Sequence, residues 1–178
     1  MGTVLENPSE SQKNSLYERD FHAWLAEQAR ILRAGQTENL DIRNLIEEIE
    51  DMGRSEEAAL ESAMEQALLH LAKLAFSPSS DPRRGWKASV VKQRVEIEKR
   101  IRRNPGLQSK MEALHQEAWK DARKLAIAEM AAHNETPTIP NECPFSIKDV
   151  RDESFWPKAL SLLADASGSK RDSKGFDR

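Results

Sequence analysis

Apolar residues recur every three or four positions between Asp41 and Ala75. Ile42, Ile46, Ile49, Leu60, Met64, Ala67, Leu71 and Leu74 fall within one narrow arc when the chain is wound at about 100° per residue. Gly53 lies on the same arc, so the phase survives it. The pattern predicts one long helix, or two helices sharing a face, onto which the other helices pack. Gly53-Arg54-Ser55 followed by Glu56 and Glu57 also reads as stop, cap and restart. The preserved phase favours a kink or a single break with little change of direction.

The same periodicity places further helices on both sides. One is expected from about Glu18 to Ala34, with Phe21, Trp24, Leu25, Gln28 and Leu32 along one face and Gly35 as the residue that ends it. Asp41 is the expected cap of the long stretch. Ser77–Gly85 carries two prolines and three serines and reads as a linker. A third helix follows from about Trp86 to Arg103, with Trp86, Val90, Gln93, Ile97 and Ile101 on its stripe. Asn104-Pro105 closes it and opens a last long helix reaching Ala132, whose buried face is expected to hold Leu107, Met111, Leu114, Ala118, Ala122 and Leu125. Trp24, Ile46, Ile49, Leu60, Leu71, Ile97, Leu114 and Leu125 should then form one buried cluster.

Beyond His133 the period is lost. Glu135–Phe145 contains three prolines and cannot continue a helix. Ile139, Cys143 and Phe145 point to an extended segment pressed onto the helices, with Ser146 as a cap and Phe155-Trp156 as a final anchor. Residues 1–15 read as a polar lead-in, and 158–178 as a marginal helix and loose tail. The expected architecture is all-α: a four- to five-helix bundle at 16–157, with an extended, proline-containing C-terminal segment wrapped over it.

Composition narrows the function classes. The chain has 178 residues, 32% of them charged and 38% apolar, which suits a single helical domain. Its net charge of −3 gives no general attraction to nucleic acid. A single cysteine, Cys143, forms no internal disulfide and fits a reducing compartment. No apolar run reaches the roughly 20 residues of a membrane span. The opening MGTVLENPSESQKNS has neither the basic nor the apolar part of a signal peptide. Cytoplasmic localisation and no membrane partner are therefore expected.

A wider set of positions carries a family likeness. Leu16-Tyr17, Asp20, Phe21 and Trp24 precede Asn44-Leu45, Glu47-Glu48-Ile49-Glu50 and Gly53-Arg54-Ser55-Glu56. They are followed by His70-Leu71, Lys73, Trp86, Gln93-Arg94, Asp121-Ala122, Pro140, Cys143-Pro144 and Phe155-Trp156-Pro157. This series resembles the bacterial family of unknown function called DUF29, over roughly Leu16 to Pro157. The resemblance implies a small all-helical domain and supplies no catalytic or binding residues. Phe145 departs from it, standing where a tryptophan is expected after Cys-Pro.

Three groups of residues are candidates for chemistry. Glu47 and Glu48, with His70 further on, bring to mind carboxylate-bridged metal sites in helical bundles. Such sites need Glu-x-x-His on an inward face. Glu112-Ala113-Leu114-His115 is the single formal copy, so a solvated acidic face is favoured over a metal site, and no metal or cofactor is assigned. His70, at the edge of the apolar stripe, is expected to be a hydrogen-bonded packing histidine. Cys143 has no base nearby in sequence and is expected to be a half-buried packing residue. The third group is the stretch from Arg83 to Arg103, with nine lysines and arginines against Glu96 and Glu98. Neutralisation by the acidic margin of the long helix is the favoured reading. The outward subset, Arg83, Arg84, Trp86, Lys87, Arg94, Arg100 and Arg103, is the candidate docking surface for a protein partner with an acidic surface.

The functional expectation is accordingly a non-enzymatic helical module that binds or regulates another protein. The alternatives are an enzyme using Glu47, Glu48 and His70, and a nucleic-acid binder using residues 83–103, which the acidic balance of the chain disfavours.

Overall fold

A computed structural model describes residues 16–80 and 82–158. All regular structure among them is helical, and none of these helices is long and apolar enough to cross a membrane. The expected lead-in at 1–15, and the short helix and tail beyond Lys158, lie outside the described residues. The chain divides into two compact units, one ending at Ser55 and the other beginning at Glu56.

In the first unit, Asp20 caps helix α1 (Phe21–Arg33) by accepting from the Ala23 N–H at 2.9 Å. The helix ends where Gly35 takes a φ of +69°, a left-handed turn that costs glycine least. A short 3-10 turn, Thr37–Asn39, leads into helix α2 (Ile42–Phe76). Asp41 joins the two helices. Its carboxylate accepts from the Asn44 N–H at 3.4 Å, from the Asn44 side chain at 2.8 Å and from the Trp24 indole N–H at 3.1 Å. Its own N–H donates to Gln28 at 2.8 Å. Tyr17 donates to Glu48, and its ring meets Phe21 and Trp24. The pairs 17–48 and 24–41 fix an antiparallel hairpin.

Two expectations change here. Helix α2 is a single 35-residue element that runs through Gly53 without a break. Ile46 and Ile49, expected in the core, are 54% and 66% exposed, and Ile42 is also exposed. The reason is angular. Helix α1 packs on the side of α2 that carries Asp41, Asn44 and Glu48, more than a quarter-turn from the isoleucine stripe.

The second unit holds the apolar core. From Leu60 onward the stripe of α2 is buried: Leu60, Met64, Ala67, Leu71 and Leu74 are 0–1% exposed. They pack with Val90, Ile97 and Ile101 of helix α3 (Arg83–Arg103) and with Met111, Leu114, Ala118 and Ala122 of helix α4 (Met111–Ala132). The linker is shorter than the sequence implied, since α3 starts at Arg83 and contains Gly85. Pro105–Lys110 forms a 3-10 turn ahead of α4, so Pro105 opens that turn and not the α-helix. Leu125, expected in the core, is 40% exposed, while Ala126 and Met130 are buried. A straight helix drifts about 20° per heptad against a seven-residue repeat, which moves the buried line by one residue.

The wrap forms as expected. Ile139 and Phe145 are buried, and Cys143, Phe155 and Trp156 pack against the same core. Ser146 caps the one-turn helix α5 (Ile147–Arg151) in a full capping box with Asp149. The Trp119 indole donates to the Asn141 carbonyl at 2.8 Å, and Arg123 donates to those of Ile139 and Pro140. These bonds anchor a segment that has no ladder or helix of its own to satisfy its backbone.

Candidate docking surface

Helix α3 carries its cations on two distinct sides. On the inner side Arg94, only 2% exposed, donates from its guanidinium to the carbonyls of Val150 (2.9 Å), Asp149 (3.0 Å) and Phe155 (2.9 Å). It also lies 4.9 Å from the Trp156 ring centre. A planar fork with five donors can serve several carbonyls where an ammonium cannot. Arg94, expected among the outward docking residues, is therefore the clamp that holds α5 and the wrap. Burial pushes its pKa down, and Asp152 and Glu153 oppose that shift.

Two further members of the expected surface serve the fold. Arg83 donates to the Leu74 carbonyl at 2.6 Å, closing the end of α2. Arg100 bridges Glu56 at 3.1 Å and Glu96 at 2.8 Å. These ion pairs show the expected neutralisation by the acidic margin of α2, joined by Lys110–Glu57 at 3.4 Å. Trp86 packs against the core with Lys73 over its ring.

The outer side is different. Arg84, Lys87, Lys92, Arg102 and Arg103 are exposed, and no carboxylate among the described residues pairs with them. Lys87 sits over the Trp156 ring at 5.2 Å. Between these cations runs a strip of Ala88, Val91 and Val95, spaced i, i+3 and i+7 on one helical face. Val91 and Val95 are 48% and 59% exposed. The sequence reading had selected the charges and missed the valines, although their four-residue spacing beside the Val90–Ile97 stripe was a visible second stripe.

The acidic candidates lie apart from this surface in their roles. Glu48 is the acceptor for Tyr17, whose phenol this hydrogen bond raises to about 12. Glu47 is exposed. His70 is half-buried, and its Nδ1 is buried without a hydrogen-bond partner, unlike the hydrogen-bonded packing histidine expected. Burial, then nearby Lys73, lowers its pKa, while Glu129 pulls the other way. Among the described residues no three His, Cys, Asp or Glu side chains are close enough together to hold a metal ion.

One contact was invisible in the sequence. Cys143 Sγ lies 3.7 Å from His115 Nε2, bringing together residues 28 apart. Both line a groove of about 610 Å³ with Trp119, Phe145 and Lys148. The thiol donates to the Phe145 carbonyl at 3.2 Å. Burial pushes the thiol up to about 11 and pushes His115 down. Each shift disfavours the thiolate–imidazolium pair that a cysteine nucleophile needs. The pair is a neutral contact fastening the wrap to α4.

No curated protein and no solved structure matches the chain. The family described as "Domain of unknown function DUF29" matches residues 16–156. With that match spanning both units and most of the chain, the protein belongs to the DUF29 family.

Proposed function

We propose that this chain is a non-enzymatic helical module that binds another protein, with the outer face of α3 receiving an acidic, amphipathic segment. The observation that carries this reading is the exposed Ala88–Val91–Val95 strip flanked by cations without internal carboxylate partners. An apolar strip rewards burial against apolar side chains, and the charges beside it select acidic margins and speed encounter. The single cysteine, held as a neutral thiol, fits a cytoplasmic setting for such a module. A nucleic-acid ligand would use the charges and leave the valines exposed, so it accounts for half of the surface only.

The test is capture of partners from a lysate of the source cell, with the whole chain as bait. Replacing Arg84, Lys87 and Lys92 by glutamate is expected to abolish capture and leave the melting temperature almost unchanged. Raising the salt weakens capture by the wild type as the Debye length falls below about 10 Å. Undiminished capture by the charge-reversed chain overturns the reading. Capture that nuclease treatment removes assigns the surface to nucleic acid.

A further inference from the structure

In the first unit, α2 leaves Ile42, Ile46 and Ile49 uncovered, 53%, 54% and 66% exposed. Acidic residues dominate around this stripe: Glu47, Glu50 and Asp51 are all exposed there. Three consecutive apolar contacts on a solvent-facing helix side are a binding face in want of an occupant.

The outer strip of α3 is its complement in three respects. Its sign is opposite, with Arg84, Lys87, Lys92, Lys99 and Arg102 around the apolar line. Its side chains are small where those of α2 are large: Ala88, Val91 and Val95 against three isoleucines. Its spacing is the mirror of the other. The isoleucines step by four and then three residues, whereas Ala88, Val91 and Val95 step by three and then four. Laid antiparallel, the two lines coincide, with Ile49 on Ala88, Ile46 on Val91 and Ile42 on Val95. In that arrangement the margin holding Glu47 and Glu50 falls on the side of Lys92 and Lys99.

We infer that the acidic amphipathic helix received by α3 is the Ile42–Ile49 face of a second copy of this chain. The inference rests on the α3 surface proposed above and names its occupant. The contact is head-to-tail, since it joins unlike faces of two identical chains, and each copy brings one face of each kind.

Light scattering and sedimentation of the full chain test this. The wild type is expected to show a mass above one chain that rises with concentration and falls with added salt. Ile46→Glu removes one face and Val91→Glu the other. Each variant alone is expected to associate at least about tenfold more weakly, because a charge then opposes an apolar partner. Mixing the two variants leaves one intact pairing and yields particles of two chains. A second pair, Glu47→Lys with Glu50→Lys and Lys92→Glu with Lys99→Glu, keeps the test open if a variant loses helicity by circular dichroism. Either charge-swapped chain alone stays single and the mixture pairs. A wild type that stays single at every concentration, or mixtures that never pair, overturns the inference. If such a single chain still captures another protein through α3, the binding reading stands and only the choice of occupant falls.

Discussion

Cys143 shows how a residue's neighbours decide its chemistry. A thiol raised from 9.0 to about 11 holds about a hundredfold less thiolate at neutral pH, and the thiolate is the reactive form. Alkylation by iodoacetamide should therefore be slow in the native protein and rise by about that factor on unfolding, as mass spectrometry of timed samples would show. The two buried histidines extend this logic to stability. Burial lowers the pKa of His70 and His115 in the native state, so below about pH 6.5 the unfolded chain binds more protons than the folded one. Their contribution is full above that value and is lost as the pH falls toward their depressed native pKa values. Denaturant midpoints between about pH 7.5 and pH 5 should fall, and replacing both histidines by glutamine should flatten that part of the fall.

Helix α2 is one element under two regimes. Gly53 lies inside it, and a Cβ added there would meet nothing within 4 Å. Gly53→Ala should therefore raise stability by up to about 1 kcal/mol, read from denaturation midpoints; a loss would mean that the helix does not continue through this position. Leu71 and Ile49 lie on the same stripe and should respond in opposite ways. Leu71 is fully buried, so Leu71→Ala should cost about 2–5 kcal/mol in transfer and cavity terms. Ile49→Ala, at an exposed position, should stay within about 0.5 kcal/mol in dilute solution. Comparable losses at both sites would show that something covers Ile49 even in a single chain.

For the whole molecule, the wrap decides whether the core is closed. Removing residues from Thr136 onward strips Ile139, Phe145 and Val150 from the core and leaves Arg94 buried without its carbonyls. That truncation should aggregate on expression or lose its cooperative melt, because an apolar face and an unpaired cation are exposed together. Removal of 167–178 alone should be nearly neutral, and equal behaviour of the two truncations would show that the wrap is not part of the fold.

The all-α class, the helix order and the wrap were legible because each is local. A 3.6-residue period, a capping serine at Ser146, a glycine at the end of α1 and a proline-rich break need no distant partner to be recognised. The buried stripe was legible from Leu60 to Leu74 for the same reason. What the pattern could not say is which part of a stripe finds a cover. Ile46 and Leu71 have the same phase on one helix, yet only the packing of α3 and α4 makes the second a core residue. Arg94 was read as an outward cation, because its charge is a property of the residue, whereas the carbonyls that claim it lie some 55–61 positions away. The His115–Cys143 contact likewise spans 28 residues that no local rule connects. Propensity and periodicity act over a few residues, so they are written in the chain; burial and partnership depend on contacts between distant segments, and only the tertiary structure assigns them.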